Sequence, residues 1–207
     1  MNSSDKQTCL IRVVDDDPNI RHSLQFLLRV EEWPTQCYCS AEEFIEKDDL
    51  SIPGCLILDV QLGKMSGIEL QNFLTSRKKL LPIVFISAYG ELDIAVQIMR
   101  RGAVDFISKP LDTQRLLHSL EEAVEKDLGR HQEQDERSKM QHKFDQLTAR
   151  EKEIAVMIAK GLLNKQIAFE LNITERTVQT HRTSAFVKLD IHSTLELYRI
   201  LETINAI

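Results

Sequence analysis

The sequence predicts a doubly wound α/β domain of five parallel strands, order 2-1-3-4-5, followed by a small all-α domain of four helices with a helix-turn-helix. Three observations carry that expectation. Between residues 10 and 108, five short apolar runs alternate with stretches of helical spacing, as in a parallel sheet covered on both faces. Residues 127–143 are almost wholly polar. From residue 144 onward only helical spacing is found, punctuated by capping residues and a helix-stopping glycine. The expected division is therefore a first domain over 1–126, a polar linker over 127–143 that can extend a helix, and a second domain over 144–207.

Leu10–Val14 reads as strand one and runs into Asp15, Asp16 and Asp17. Pro18 suits a first helical turn, and Ile20, Leu24, Leu27 and Leu28 form the apolar stripe behind it. Thr35–Tyr38 is a short second strand. Ser40 and Glu43 have capping-box spacing ahead of Phe44 and Ile45. Pro53-Gly54 precedes the third strand, an apolar run over 55–60 that ends at one carboxylate, Asp59. Ser66 and Glu69 form another capping box, followed by Leu70, Phe73 and Leu74. Residues 82–86 are strand four, ending at Ser87. The next helix carries Leu92, Ala95, Val96 and Met99 and stops at Gly102. Residues 103–107 are strand five and lead into Ser108-Lys109-Pro110; a last helix starts near Asp112. Right-handed crossovers place all strand C-termini on one edge, where such sheets bind ligands. That edge would carry Asp15, Asp16, Asp59, Ser87 and Lys109.

In the second domain, Thr148 and Glu151 open a helix closed by Gly161. Residues 164–171 form the next. Asn172-Ile173-Thr174 is a tight turn, and Glu175–Leu189 the third helix. Ser193 caps a fourth, whose stripe Leu197, Ile200, Leu201 and Ile204 serves either as core or as a dimer seam. Two helices joined by a three-residue turn make a helix-turn-helix, or a plain hairpin in a small core. On the third helix Val178, Ala185 and Leu189 share the core face, with His181 at its edge. Arg176, Thr180, Thr183 and Val187 point the other way, with Gln179 on the flank.

Residues 1–126 carry 14 Lys and Arg against 20 Asp and Glu, whereas 144–207 carry 8 against 8. The acidic excess thus lies in the first domain, and any basic surface on the second is local. No apolar run reaches the ~20 residues of a membrane helix, and the first residues lack a signal-peptide pattern, so the expected location is cytoplasmic with no membrane partner. Cys9, Cys37, Cys39 and Cys55 lie in or beside strands and read as buried free thiols.

The segments Val13-Val14-Asp15-Asp16, Leu58-Asp59, Ser87-Ala88 and Lys109-Pro110 resemble, in order and spacing, the signature of the receiver domain of two-component response regulators, a flavodoxin/CheY-like fold, over residues 8–126. Each element alone is common, and each has a plain reading: a solvated turn, an exposed acid, a surface lysine. The resemblance implies that Asp59 accepts phosphate from a histidine kinase, as a covalent carboxylate intermediate. It implies Mg²⁺ held by Asp16 and Asp59, by Asp15 through water, and by the backbone carbonyl of Gln61. The chemistry fits: at an effective dielectric of ~20, two unit charges 4 Å apart repel by about 4 kcal/mol, which a hard divalent cation relieves. Lys109 would meet the phosphoryl oxygens as a point charge, held extended by Pro110 through a bond that is often cis in the family. Ser87 would bond the phosphoryl group, and Phe106 would turn inward as the switch aromatic, or serve simply as core. Asp17 reads as a solvated third acid. Gln61 and Tyr89 would gate water. A receiver assists only its own phosphorylation and dephosphorylation, so no separate enzyme activity is expected. One departure is Gly63, where this group usually has Pro; the loop should be more mobile.

Leu147-Thr148-Ala149-Arg150-Glu151, Asn164-Lys165-Gln166-Ile167-Ala168 and residues 174–182 resemble the LuxR-type DNA-binding domain over 144–205; with the receiver in front, the chain resembles the FixJ-like regulators. Gln179, Thr180 and Thr183 are the expected base-edge contacts, Gln179 suiting adenine. Lys165, Arg176, Thr177 and Arg182 are the expected phosphate contacts. So few basic groups give weak, salt-sensitive binding by one copy and favour dimers on paired half-sites. The implied partners are a cognate histidine kinase, a double-stranded DNA operator, RNA polymerase, and a second copy on phosphorylation. The same residues admit two rival readings: an adaptor whose helical domain binds protein, and a DNA binder indifferent to phosphorylation.

Overall fold

A computed structural model describes residues 6–88 and 92–207, the side chain of Leu92 excepted. The expectations placed on Tyr89 and the Leu92 side chain lie outside the described residues. The chain divides into two compact units, Met1–His131 and Gln132–Ile207.

In the first unit, strands β1 (Leu10–Val14), β2 (Thr35–Tyr38), β3 (Gly54–Asp59), β4 (Ile83–Ser87) and β5 (Asp105–Ser108) alternate with α1 (Pro18–Val30), α2 (Ala41–Lys47), α3 (Gly67–Ser76) and α4 (Leu92–Arg100). The sheet is parallel throughout, in the order β2-β1-β3-β4-β5. β5 begins later than its apolar run because Gly102, at φ 89°, is still turning the chain out of α4. Every residue of β3 is buried. Alternation sends Ile11, Val13 and Ile57 to one face, beneath Leu24, Leu28, Leu116 and Leu120. Val14, Leu56 and Leu58 face Phe44, Leu70 and Ile98 on the other.

Arg12 shares that second face yet is fully buried. Its Nε donates to both carboxylate oxygens of Asp48 at 3.0 and 2.9 Å, and its Nη atoms donate to the carbonyls of Leu10, Asp49 and Ile52. The Tyr38 hydroxyl donates to Asp48 at 2.6 Å. This polar cluster pins the end of α2 and its return loop to β1. Of the thiols, Cys9 and Cys55 are buried, but Cys37 is half-buried and Cys39 exposed, contrary to expectation. β2 ends at Tyr38, so Cys39 already lies beyond the sheet.

Helix α5 spans Thr113–Asp145 without a break, through the stretch expected to be a linker. Leu128 packs on the first unit's core. Asp127 is buried there, accepting from the Gly54 amide at 2.8 Å while pairing with Arg130, which also donates to the Leu80 carbonyl. At the far end of α5, Met140 and Phe144 pack into the second core.

The second unit adds α6 (Ala149–Ala159), α7 (Asn164–Glu170), α8 (Glu175–Leu189) and α9 (Thr194–Thr203). The Thr148/Glu151 capping box forms as expected, and Thr174 and Ser193 cap α8 and α9. Leu197, Ile200, Leu201 and Ile204 are all buried in this core, which settles the open choice for that stripe. The exposed apolar residues of α9 are Leu195 and Tyr198.

Candidate functional site

The carboxylates of Asp15, Asp16 and Asp59 offer oxygens that all lie within 4.8 Å of one another. They meet because β1 and β3 are paired in register, Val14 opposite Leu58, so that Asp15, just past β1, lies beside Asp59, the last residue of β3. Lys109, from the end of β5, crosses to them: its Nζ lies 2.8 Å from Asp15 and 2.9 Å from Asp59. Its amide donates to the Ser87 carbonyl at 2.7 Å, and the Lys109-Pro110 bond is cis. Ser87 is buried at the end of β4, opposite Ser108.

The roles of the three acids differ by surroundings. Asp15 is fully buried, and both its oxygens are engaged, by the Asp17 amide and by Lys109. Asp16 is exposed to solvent. Asp59 is buried, and one of its oxygens accepts from the Gln61 amide at 3.3 Å. Burial pushes the Asp59 carboxyl above its usual range; Lys109 opposes this, and Asp15 adds to it. Burial pulls the Lys109 amine down, but its bonds to Asp15 and Asp59 outweigh burial and raise it. One lysine thus leaves part of the charge of three acids uncompensated, and a set of hard oxygen donors fits a hard divalent cation. Asp17 lies outside the cluster as the cap of α1, accepting from the Asn19 amide. Phe106 is half-buried against the core and opposite Phe85.

Two supports escaped the sequence reading. Arg21 of α1 donates to the Asp15 carbonyl at 2.6 Å. Gly67, the first residue of α3, is packed so closely that a Cβ there would lie 2.1 Å from the Asp59 carbonyl oxygen. Gly67→Ala should therefore push α3 away from Asp59, lowering stability by about 1–3 kcal/mol in denaturant titration and slowing phosphate incorporation. Gly63, by contrast, has no positive φ, and a Cβ there would meet nothing within 4 Å.

In the second unit, the exposed side of α8 carries Arg176, Gln179, Thr180, Thr183 and Val187, while Val178, Ala185 and Leu189 are buried. Lys165 on α7 is exposed; Thr177 is half-buried, its hydroxyl 2.9 Å from that of the capping Thr174. Arg182 is engaged within the domain, donating to Thr194 and lying over the Phe186 ring. His181 is half-buried. Glu151 locks α8 in place: beyond its capping role it accepts from Ser184 and Lys188, each at 2.6 Å. Burial would raise its carboxyl, but Lys188, Ser184 and Thr148 hold it at about 2. A folded-state value below the unfolded 4.5 means this stabilisation is complete above about pH 4.5 and lost as pH falls toward 2. Glu151→Gln should cost on the order of 1–2 kcal/mol near neutrality. The difference from the parent in chemical unfolding should shrink across that acid window.

Comparison with known proteins agrees with both halves. Residues 11–121 match the response regulator receiver domain, and residues 145–201 the luxR family of bacterial regulatory proteins. The response regulator protein TodT of Pseudomonas putida is 33% identical over 95% of this chain and 86% of its own. The transcriptional regulatory protein FixJ of Rhizobium meliloti is 32% identical over 92% of this chain and 93% of its own. Among solved structures, the response regulator StyR superposes with a TM-score of 0.87 at 37% identity, covering 94% of this chain and 98% of its own. Full-length FixJ from B. japonicum gives 0.56 at 28% identity, covering 96% and 98%. The acid cluster is of the kind typical of receiver metal sites. A receiver is a phosphoacceptor, not an enzyme with a separate substrate. Among the described residues no helix is long and apolar enough to cross a membrane. The chain belongs to the FixJ-like two-component response regulators, phosphorylation-dependent regulators in which a receiver domain is joined to a LuxR-type helix-turn-helix DNA-binding domain.

Proposed function

We propose that Asp59 takes phosphate from a histidine kinase and that this modification drives pairing of the chain on a DNA operator. The observation that supports it most directly is Lys109 bridging Asp15 and Asp59 while Asp16 stands open to solvent beside them. A carboxylate oxygen of Asp59 forms the new P–O bond as the donor's P–N bond to histidine breaks. Asp16 and Asp59 would hold Mg²⁺ directly, with Asp15 through water and Gln61 through its carbonyl; when bound, the ion neutralises phosphoryl charge. Lys109 exchanges a carboxylate partner for a phosphoryl oxygen. Ser87 then bonds a second oxygen, and Phe106 follows it.

In the second domain Gln179, Thr180 and Thr183 read bases, and Arg176, Thr177, Arg182 and Lys165 meet phosphates. Pairing of receivers raises the effective concentration of the second DNA-binding domain at one operator, from which the chain would engage RNA polymerase. The functional division is a receiver that keeps the first turns after residue 126, the rest of the 127–143 stretch as helical connector, and the DNA-binding domain from 144. Mass measurement at fixed salt, with and without a small phosphodonor and Mg²⁺, tests the switch. A monomer-to-dimer shift requiring both reagents is expected, together with a gel shift lost in Gln179→Ala/Thr183→Ala; an unchanged mass would overturn it.

A further inference from the structure

The structure assigns a further specificity contact: Val187, near the C-terminal end of α8, packs against a thymine C5-methyl group in the operator. This rests on the proposal that α8 reads bases in the major groove, and it adds a residue to those named there. The exposed residues of α8 past Arg176 are Gln179, Thr180, Thr183 and Val187, and none of them is charged. The helix's remaining Arg and Lys are already engaged. Arg182 donates to Thr194 and lies over the Phe186 ring, and Lys188 pairs with Glu151 at 2.6 Å. Arg176, Thr180, Thr183 and Val187 follow one another at helical spacing, so they line up along one side of α8. Val187 is 74% exposed there. A branched side chain at an open helical position loses rotamer freedom and buries nothing in return.

What covers Val187 follows from its place on that line. A recognition helix brings side chains seven residues apart to base edges, as homeodomains do. Thr180 and Val187 have that separation. A helix that sets Thr180 and Thr183 against bases therefore carries Val187 along the same groove. Major-groove edges present donors and acceptors, and the thymine methyl is their one apolar substituent. An aliphatic side chain, with nothing to donate or accept, has only that group to recognise. Phe186, Val187 and Ile191 are among the residues lining a shallow depression that Gln179 and Thr183 also border. A methyl group received there removes apolar surface of both partners from water. A G·C pair at the same place would set cytosine N4 or guanine O6 against the valine and leave a polar group without a partner. The contact thus selects thymine by attraction and rejects G·C by exclusion.

The test uses the full-length chain with Mg²⁺ and a small phosphodonor. Sites are selected from a randomised DNA duplex, and each thymine of the selected site is then replaced in turn by deoxyuridine. Uracil keeps every donor and acceptor of thymine and lacks only the methyl. At one base pair of each half-site this replacement should weaken binding by the parent about fourfold. Val187→Ala should weaken binding to the thymine duplex by a similar factor and abolish the uracil penalty at that base pair, leaving other positions unchanged. Val187→Ile, which keeps a branched apolar side chain, should retain the penalty. Alanine is a better helix former than valine, so Val187→Ala keeps its fold. A uracil penalty at no position, or penalties that Val187→Ala leaves unaltered, would overturn the inference alone. An equal loss on thymine and uracil duplexes is what a contact with a phosphate or with a second copy gives, since neither senses the methyl. If the chain selects no site at all, the base-reading role of α8 fails and this inference fails with it.

Discussion

Asp59→Asn should abolish phosphate incorporation and, with it, every phosphodonor-dependent change in mass and DNA affinity. The amide is isosteric but is a far poorer nucleophile toward phosphorus, and no other carboxylate stands in its place. Asp15 is fully buried with both oxygens engaged. Asp16 is exposed on the rim of the cluster, without the bond to Lys109 that Asp59 has. The same substitution should raise stability when no divalent cation is present. The Asp59 carboxyl is pushed above its usual range by burial, so the folded state favours its neutral form. A raised folded-state value contributes stability at low pH that is lost as pH rises through it, and the ionised group strains the fold near neutrality. Asn is a permanent mimic of the neutral form. Phosphate labelling and thermal melting in chelator should therefore move in opposite directions; residual labelling, or a lower melting temperature in chelator, would contradict the assignment.

The second large effect is expected far from any phosphate chemistry. Arg12→Ala and Asp48→Ala should each destabilise the protein by about 3–5 kcal/mol, because each leaves a buried charge without its partner. Arg12→Ala additionally strips the carbonyls of Leu10, Asp49 and Ile52 of a donor. Asp48→Ala removes the acceptor of the Tyr38 hydroxyl, which the neighbouring carboxylate and burial now hold in its protonated form. Against a typical total of about 5–15 kcal/mol, either loss is large. The double variant Arg12→Leu/Asp48→Leu should lose clearly less than the sum of the two single changes, since no unpaired charge remains. Denaturant midpoints with unchanged slopes measure this; single-variant losses below about 1 kcal/mol would mean that the cluster is not holding the α2 return loop.

The contrast between these two clusters shows what a sequence displays. Asp15, Asp59, Ser87 and Lys109 were legible because each ends a short apolar run, and a parallel sheet brings such ends together. Ser66, Thr148 and Ser193 were legible as caps because a cap is a local pattern. Arg12 gave no such signal. A polar residue within a strand ordinarily faces solvent, and its partner Asp48 lies beyond two helices and another strand. Glu151 was read as a cap, while its bonds to Ser184 and Lys188 across to α8 could not be seen. Gly67 gave no signal either, because close approach of two backbones leaves no mark on composition. The polar stretch after residue 126 reads as a linker able to extend a helix, and α5 does run through it, but nothing in so polar a run marks Asp127 as the residue that turns inward.

That inward turn bears on how the receiver can move. Asp127 grips the amide of Gly54, where β3 begins, and Lys109 grips Asp59, where β3 ends. The central strand is fastened at head and foot by groups from two other elements, like an axle seated in two bearings. Sliding it along its own axis would break both fastenings together. Rearrangement after modification of Asp59 is expected to travel sideways instead, through the neighbouring strands paired to β3.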